Sequence, residues 1–282
     1  MIKKVKAPFR IDFAGGTTDI SPFRDEMYGT VLNASINKYV VGYIKKSDKG
    51  IELKYSSNIP TASGLGTSGC MNVVLSSLIT HETDKIKLAE QAFKIEQAIG
   101  DIGGKQDQYG ASLGGINLLE FIKDKTKITP LNLSKYTVKE LENHLILIYS
   151  GKSRLSKNTN RDVIESYKKN DQTTVKALKR IKQISYEMKN ALEKSNFKKF
   201  ISLMNEEWLN RKRLHKSITN PYLNKLIEEG LKYSLAAKVC GAAGGGCILF
   251  YAKNKNEFRT KMKKHFIIDF KFDFKGIQIS ES

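Results

Sequence analysis

The stretch Pro60–Thr80 (PTASGLGTSGCMNVVLSSLIT) joins a glycine loop directly to an apolar segment that reads as a helix. Glycine lets backbone N–H groups converge on an anion without side-chain obstruction, and the first turn of a helix adds unpaired N–H groups and the positive end of its dipole. A phosphate can be cradled in this way. The loop is not of the Walker type, because no Gly-Lys-Ser/Thr triplet follows at the required spacing. Without a lysine it must rely on backbone N–H groups, with Thr67 and Ser68 adding hydroxyls that can touch phosphate or a hydrated Mg2+. The same residues would also make an ordinary tight turn before a helix, and spacing alone leaves both readings open.

Two further glycine segments flank this one: Ala7–Asp19 (APFRIDFAGGTTD) near the start and Lys238–Cys247 (KVCGAAGGGC) near the end. Between them, β-branched and aromatic residues predict strands over Lys3–Phe13, Thr30–Lys45 and Ile51–Ser56. Helices are predicted over 68–80 and 85–100, the second from apolar residues at helical spacing. Gln106–Ser112 resumes helically after a Gly103–Gly104 turn, and Ile116–Phe121 reads as a strand. Around Leu133–Glu142 the pattern turns polar, which places a domain boundary there, between 1–142 and 143–282. The second half opens on the strand His144–Ser150. Helices over about 162–170, 173–194, 197–213 and 220–233 follow, then the strand Cys247–Ala252, a helix over 256–265 and terminal strands over 267–279. Strands and helices mix in both halves without a regular βαβ repeat, so the fold class is α+β.

With 282 residues and 40% hydrophobic content the chain has enough apolar material for a real core. Lys+Arg 48 against Asp+Glu 29 gives +19, a balance that suits nucleic acid, a membrane surface or a phosphorylated small molecule. The basic residues are scattered over 123–127, 168–199, 211–216 and 253–275 with no nucleic-acid motif, which favours a solvated helical surface and a small phosphorylated ligand over nucleic acid. Apolar runs are too short to span a bilayer and no leader opens the chain, so the expectation is a cytoplasmic protein without a membrane partner. Cys70, Cys240 and Cys247 lie in or beside glycine motifs, where a small buried role is favoured over a nucleophile. His81, His144, His215 and His265 are dispersed without metal-ligand spacing.

Glu96 near a helix end and Asp107 at a helix start are two carboxylates of the kind that magnesium–nucleotide chemistry needs, although a salt bridge or a helix cap is the ordinary role of such residues. Arg10 alternates with apolar neighbours on a strand; it can be a buried pair-former or can orient a catalytic carboxylate. Asp19, beyond Gly15–Gly16, can clamp sugar hydroxyls. Lys152, Ser153, Arg154, Ser156 and Lys157 cluster after a strand, either as a solvated loop or as a site for a substrate phosphate.

Taken together, the three glycine segments resemble those of the GHMP kinase superfamily. Pro60, Gly64, Leu65, Thr67, Ser68 and Gly69 match its pattern Pro-x-x-x-Gly-Leu-x-Ser-Ser-small, with Thr67 in place of a serine. GTVLNASINKY, IEQAIGDIGGKQDQYGASLGGIN and NEEWLNRKRLHKSITNP extend the likeness along most of the chain to one subgroup, the D-glycero-D-manno-heptose 7-phosphate kinases. The resemblance implies an N-terminal domain like ribosomal protein S5 domain 2 and a ferredoxin-like C-terminal domain, with ATP and sugar meeting between them. It further implies that Pro60, Ser63, Gly64, Leu65, Gly66, Thr67, Ser68 and Gly69 wrap the ATP phosphates and that Ser68 and Glu96 hold Mg2+. Asp107 would accept the sugar hydroxyl proton, with Arg10 beside it. Gly15, Gly16, Thr17, Thr18 and Asp19 would contact the sugar, Arg154 its phosphate, and Gly241, Ala242, Ala243 and Gly244 would close over it.

Two departures stand out. Ala243 replaces a usual glycine, which is harmless if its φ stays negative. Between Lys45 and Pro60 only a hairpin-like stretch remains where relatives carry a helical segment, so the nucleotide-base pocket is either looser, suited to another nucleotide, or completed by pairing of two copies as a homodimer. The reading is thus an ATP-dependent sugar kinase acting on the anomeric hydroxyl of a heptose 7-phosphate. Its alternatives are a kinase for fucose, galactose or an amino sugar, and a non-catalytic ligand-binding member of the fold; nucleic-acid binding rests on the +19 charge alone.

Overall fold

The computed structural model describes residues 2–48, 50–100, 102–123, 125–151 and 156–281. Its first sheet grows from β1 (Ile2–Ala14) and β2 (Gly29–Ser47), which pair antiparallel over nearly their whole length. β2 is long enough, at 19 residues, to serve two further partners: its first half pairs with β4 (Ile116–Ile122) and its second half with β3 (Gly50–Ser57). β5 (Lys125–Pro130) adds an outer strand beside β4, and the last strand, β10 (Gln278–Glu281), returns to pair with β1. The second sheet has four antiparallel strands in the order β7 (Ser234–Val239), β8 (Cys247–Ala252), β6 (Leu145–Tyr149), β9 (Phe266–Ile268). The two sheets therefore do not split the chain at one point, because β10 belongs to the first.

Helices fill the space around both sheets: α1 (Phe23–Met27), α2 (Thr67–Thr80), α3 (Lys85–Ala98), α4 (Gln106–Leu113), α5 (Lys135–His144), α6 (Ser156–Lys168), α7 (Gln172–Glu193), α8 (Phe197–Lys212), α9 (Pro221–Leu231) and α10 (Lys255–Lys261). Their starts have local causes. Asp84, Ser134, Asp171, Asn196 and Asn220 each accept a hydrogen bond from an N–H of the first turn, and Pro221 follows the last of these caps. In α7 the residues Ala177, Leu178, Ile181, Ile184, Met188 and Leu192 are buried at three- and four-residue spacing, the stripe that packs this helix on α8 and the sheets.

β1 carries the division of labour that shapes the site. Phe9 and Ile11 are fully buried in the core on one face, with Leu32 and Ile36 of β2 and with Leu65, Cys70 and Val74. Each such side chain contributes about 1.5–3 kcal/mol by leaving water. Arg10 and Asp12, two residues apart and so on the opposite face, are buried as well, and they need ionic partners there. The core around β1 and β2 is continuous with α7, α8 and the second sheet through Ile184, Phe200, Leu203 and Leu249.

Most predicted elements are present, with corrections at the margins. The polar stretch around Leu133–Glu142 contains the helix α5; it buries only Thr137 and Leu141, so little of its pattern is apolar. β5 and β7 were not predicted: β5 reads Lys-Thr-Lys-Ile-Thr-Pro on an edge, and β7 carries a buried Lys238. The residues between Lys45 and Pro60 form the β2–β3 hairpin.

Candidate active site

Three segments converge on a cavity of about 450 Å3 whose wall includes Arg10, Thr17, Asp19, Gly64, Gly66, Thr67, Ser68, Glu96, Asp107 and Gly241 to Ala243. The middle loop runs into α2 through Gly66, which takes a left-handed conformation (φ 82°), and no side chain caps that helix start. Its first turn has no acidic residue, no side chain accepts from its N–H groups, and Gly66, Thr67 and Ser68 line the cavity. Ser68 is exposed there and Thr67 half-buried. The Thr67 hydroxyl is buried without a hydrogen-bond partner, as is that of Ser63 behind it.

Glycine is required in this loop by contact as well as by conformation. A Cβ on Gly64 (φ 76°) would stand 2.6 Å from the Cys240 carbonyl oxygen, and one on Gly241 (φ 66°) would stand 2.7 Å from the carbonyl oxygen of Gly64. The two glycine loops thus lie backbone against backbone, tied by the Cys247 N–H donating to the Ser63 carbonyl at 2.7 Å.

Asp107 is the second residue of α4, but its carboxylate does not cap the helix. It turns to Arg10, whose Nε and Nη2 both reach Oδ1, at 2.8 and 2.6 Å. Arg10 Nη1 donates to the Gly64 carbonyl at 2.7 Å, so one guanidinium links strand, loop and helix. Burial works against the Arg10 charge, yet Asp107 and then Asp12 raise its pKa above the ordinary value. Gly66 and Gly69 make room for Asp107: a Cβ at Gly69 would fall 2.6 Å from that of the aspartate.

Glu96, buried near the end of α3, accepts from Asn72 Nδ2 at 3.1 Å and from Gln108 Nε2. Asp19 lies deeper. It has no exposed surface, the Gly104 backbone covers its carboxylate, and the Gln106 N–H donates to its Oδ2 at 3.0 Å. Burial pushes its pKa up to about 6, against the lowering effect of the Gln106 hydrogen bond.

The other sequence-derived positions divide between the layer behind the wall, the wall itself and a segment outside the described residues. Pro60, Ser63, Leu65, Gly69, Gly15, Gly16, Thr18 and Gly244 stand behind the wall rather than in it; Thr18 donates to the Gly15 carbonyl at 2.6 Å and accepts from the Thr30 N–H, which fixes the loop's shape. Ala242 and Ala243 line the cavity. Ala243 has φ 62°, so the condition on which its methyl group would be harmless is not met: the residue occupies the left-handed region that glycine prefers. Arg154, Lys152 and Ser153 lie outside the described residues. Cys70, Cys240 and Cys247 are free and buried, and burial raises all three thiol pKa values, that of Cys240 to about 12.

Sequence reasoning placed the Gly103–Gly104 turn but not its position at the cavity, and it missed Gln106 and Asn160, which also line the wall, and four buried charges behind it. Asp12, Glu207, Arg211 and Lys238 form mutual ion pairs without any exposure. One signal was available: Glu207 and Arg211 are four apart on one helix, the spacing of an ion pair.

Among the described residues no helix is long and apolar enough to cross a membrane, and no cluster of three or more His, Cys, Asp or Glu could hold a metal by itself.

Known proteins resemble this chain along most of its length. The chain is 26% identical to the D-glycero-alpha-D-manno-heptose 7-phosphate kinase of Campylobacter jejuni subsp. jejuni, covering 98% of each chain. That alignment runs over 336 positions, so the relative carries segments absent from these 282 residues. It is 26% identical to the galactokinase of Clostridium tetani over 82% of this chain and 69% of that one. Among solved structures, a D-glycero-D-manno-heptose 1-phosphate kinase from Bacteroides thetaiotaomicron superposes with a TM-score of 0.81 at 24% identity over 99% of each chain. The Lactococcus lactis galactokinase crystallised with galactose gives 0.73 at 18% identity over 100% of this chain and 95% of the other, and both likenesses show a shared fold. Residues 33–115 match the GHMP kinases N terminal domain and 188–268 the GHMP kinases C terminal domain, more than half of the chain together, and the chain therefore belongs to the GHMP kinase family.

Proposed function

We propose that this GHMP kinase transfers the γ-phosphoryl group of ATP to a hydroxyl of a sugar, with the anomeric hydroxyl of a D-glycero-D-manno-heptose 7-phosphate as the favoured acceptor. The observation that carries the reading is the Arg10–Asp107 pair set against the uncapped start of α2. A carboxylate able to take a hydroxyl proton sits beside amides able to hold a polyphosphate, at the distance of a single loop.

In this scheme the N–H groups of 67–69 and the hydroxyls of Thr67 and Ser68 bind the ATP phosphates. Arg10 occupies Oδ1 of Asp107 and leaves Oδ2 for the acceptor hydroxyl. As the sugar oxygen bonds to the γ-phosphorus and the bond to the bridging oxygen of ADP breaks, the hydroxyl proton passes to Oδ2. Positioning and charge stabilisation supply most of the rate in such transfers. Asp19 and Thr17 lie on the cavity wall where the acceptor would sit.

One carboxylate, Glu96, and one hydroxyl, Ser68, on the wall of one cavity fit Mg2+, which takes few protein ligands and shares the rest of its shell with water and substrate phosphates. Bound there, Mg2+ would neutralise phosphate charge. The 7-phosphate in the acceptor is favoured by the full-length likeness to the Campylobacter jejuni enzyme.

A coupled ADP-release assay across heptose, fucose, galactose and amino sugars, each with and without a terminal phosphate, tests the reading. Turnover that depends on a heptose phosphate supports it; turnover with another sugar moves the substrate; none with any sugar removes the kinase role.

A further inference from the structure

The four buried charges lie directly behind the acceptor half of the cleft, and the chemistry proposed above uses none of them. Lys238 Nζ donates to Asp12 Oδ1 at 2.6 Å, to the Asp12 and Phe13 carbonyls at 2.9 and 3.1 Å, and stands 3.2 Å from Glu207 Oε2. Arg211 Nε donates to Glu207 Oε1 at 2.8 Å, and its Nη2 reaches the same oxygen and, at 3.3 Å, Asp12 Oδ2. Two cations and two anions balance, which is the condition for burying them at all.

What is left of the Arg211 guanidinium points at the cleft. Nη1 donates to Thr17 Oγ1 at 3.3 Å and to the Gly241 carbonyl at 3.2 Å, while Nη2 donates to the Gly16 carbonyl at 3.2 Å. Thr17 and Gly241 line the cavity from opposite glycine segments, one in the first and one in the third. Both take positive φ, 77° for Thr17 and 66° for Gly241. For a β-branched residue such as Thr17 that conformation persists only when the surroundings enforce it. Gly16 is pressed onto the same charges, since a Cβ there would stand 2.0 Å from Asp12 Oδ2 and 3.2 Å from Arg211 Nη2.

We propose that Arg211 is a positioning residue that clamps the Gly16–Thr17 loop to the Gly241 turn and so sets the width of the acceptor half of the cleft. Glu207, Asp12 and Lys238 hold its plane in register. A planar fork is needed, because Nη1 bridges Thr17 and Gly241 while Nη2 holds Gly16 and Nε and Nη2 hold Glu207; a lysine supplies one point charge and cannot meet all of them. The inference rests on the kinase reading of the cleft only in assigning the kinetic effect to the acceptor.

The test compares the whole protein with Arg211→Lys by ADP release and by hydrogen exchange. The expected result is a KM for the acceptor sugar raised about tenfold or more with the KM for ATP changed less than about twofold, as misplacement on one side of a bimolecular site predicts. Exchange should quicken at 15–18 and at 241–244 and stay unchanged at 67–74. Equal changes in both KM values, no change in either, or exchange that quickens throughout the fold would overturn the proposal and leave Arg211 a stability element. If the unmodified protein releases no ADP with any sugar, the kinase reading fails, while exchange at the two loops still decides the clamp. Should Arg211→Lys not fold, Glu207→Gln keeps the volume and one oxygen for the guanidinium, and the same loop-confined pattern is expected at smaller amplitude.

Discussion

Arg10 meets Asp107 with two nitrogens on a single carboxylate oxygen, and with its third nitrogen it holds the carbonyl of Gly64. One buried guanidinium therefore fixes the distance between the glycine loop before α2 and the carboxylate that faces it. The partners come from β1, from the loop before α2 and from α4, which are separated by 54 and 97 residues in sequence. Because Arg10 is almost wholly buried and Asp107 keeps 28% of its side-chain surface exposed, the pair is anchored at the arginine and open at the aspartate. That asymmetry suits a base that must meet substrate.

Asp107→Asn keeps the shape and one oxygen for Arg10 but cannot take a proton. It is expected to lower kcat by about 10²–10⁴-fold, the usual worth of general-base catalysis, with the KM for ATP nearly unchanged. Asp107→Ala should add a folding penalty of about 2–4 kcal/mol, reduced from the full cost of a broken buried pair because the aspartate is partly exposed. Steady-state kinetics with thermal unfolding separates the two effects. Equal loss of turnover and of nucleotide binding in Asp107→Asn would contradict the assignment.

Much of this site was legible before the structure. The glycine segments stand out because their spacing is local; Arg10, Asp107 and Glu96 are chemically restrictive types, but the residues alone leave an ordinary pairing or capping role open for each, and the family resemblance is what joins them. Their convergence was not legible from residue patterns alone, since Arg10 and Asp107 meet through tertiary packing. The buried charges escaped notice for the same reason: Lys238 and Asp12 are 226 residues apart, and Lys238 reads as the flank of a glycine motif rather than as a core strand residue. Strong periodicity gave β1, α3 and α7. A small buried face hid α5, which buries only Thr137 and Leu141, and β5 is an edge strand with no buried residue.

Glu96→Gln tests the place assigned to Mg2+. The substitution preserves volume, and the Gln108 amide can turn to present its unpartnered Oε1 to the new NH2 group, so stability should change by less than about 1 kcal/mol. The Mg2+ concentration needed for half-maximal rate is expected to rise about tenfold or more, with activity partly restored at high Mg2+. An unchanged Mg2+ dependence would remove Glu96 from the metal's ligands.

The contact between the two glycine loops can be weighed against backbone strain alone. Gly64 and Gly100 have nearly equal φ, 76° and 73°, but a Cβ on Gly64 strikes the Cys240 carbonyl at 2.6 Å whereas one on Gly100 meets nothing within 4 Å. Gly100→Ala should cost about 1 kcal/mol for the left-handed conformation. Gly64→Ala should cost about 3 kcal/mol or more, because two backbones must move apart. Denaturant unfolding of the pair gives the difference, and similar losses in both would show that the loops are not in close contact.

Asp19 should impose a pH dependence of its own. Burial raises its pKa from 3.8 to about 6, so between those values the folded protein keeps a proton that the unfolded chain has released. Stability then falls as pH rises from about 4 to about 6 and is level above that, by about 3 kcal/mol in total for one such group. Asp19→Asn removes the titration. Its melting temperature should match that of the unmodified protein near pH 4 and exceed it above pH 6, where the unmodified fold carries a buried carboxylate. If the carboxylate form is what grips the sugar, the acceptor KM of the unmodified enzyme should also climb as pH drops through about 6, while that of Asp19→Asn is high and flat. Stability gaps that are the same at pH 4 and pH 7 would mean that Asp19 ionises at an ordinary pKa and is less enclosed than the Gly104 backbone makes it.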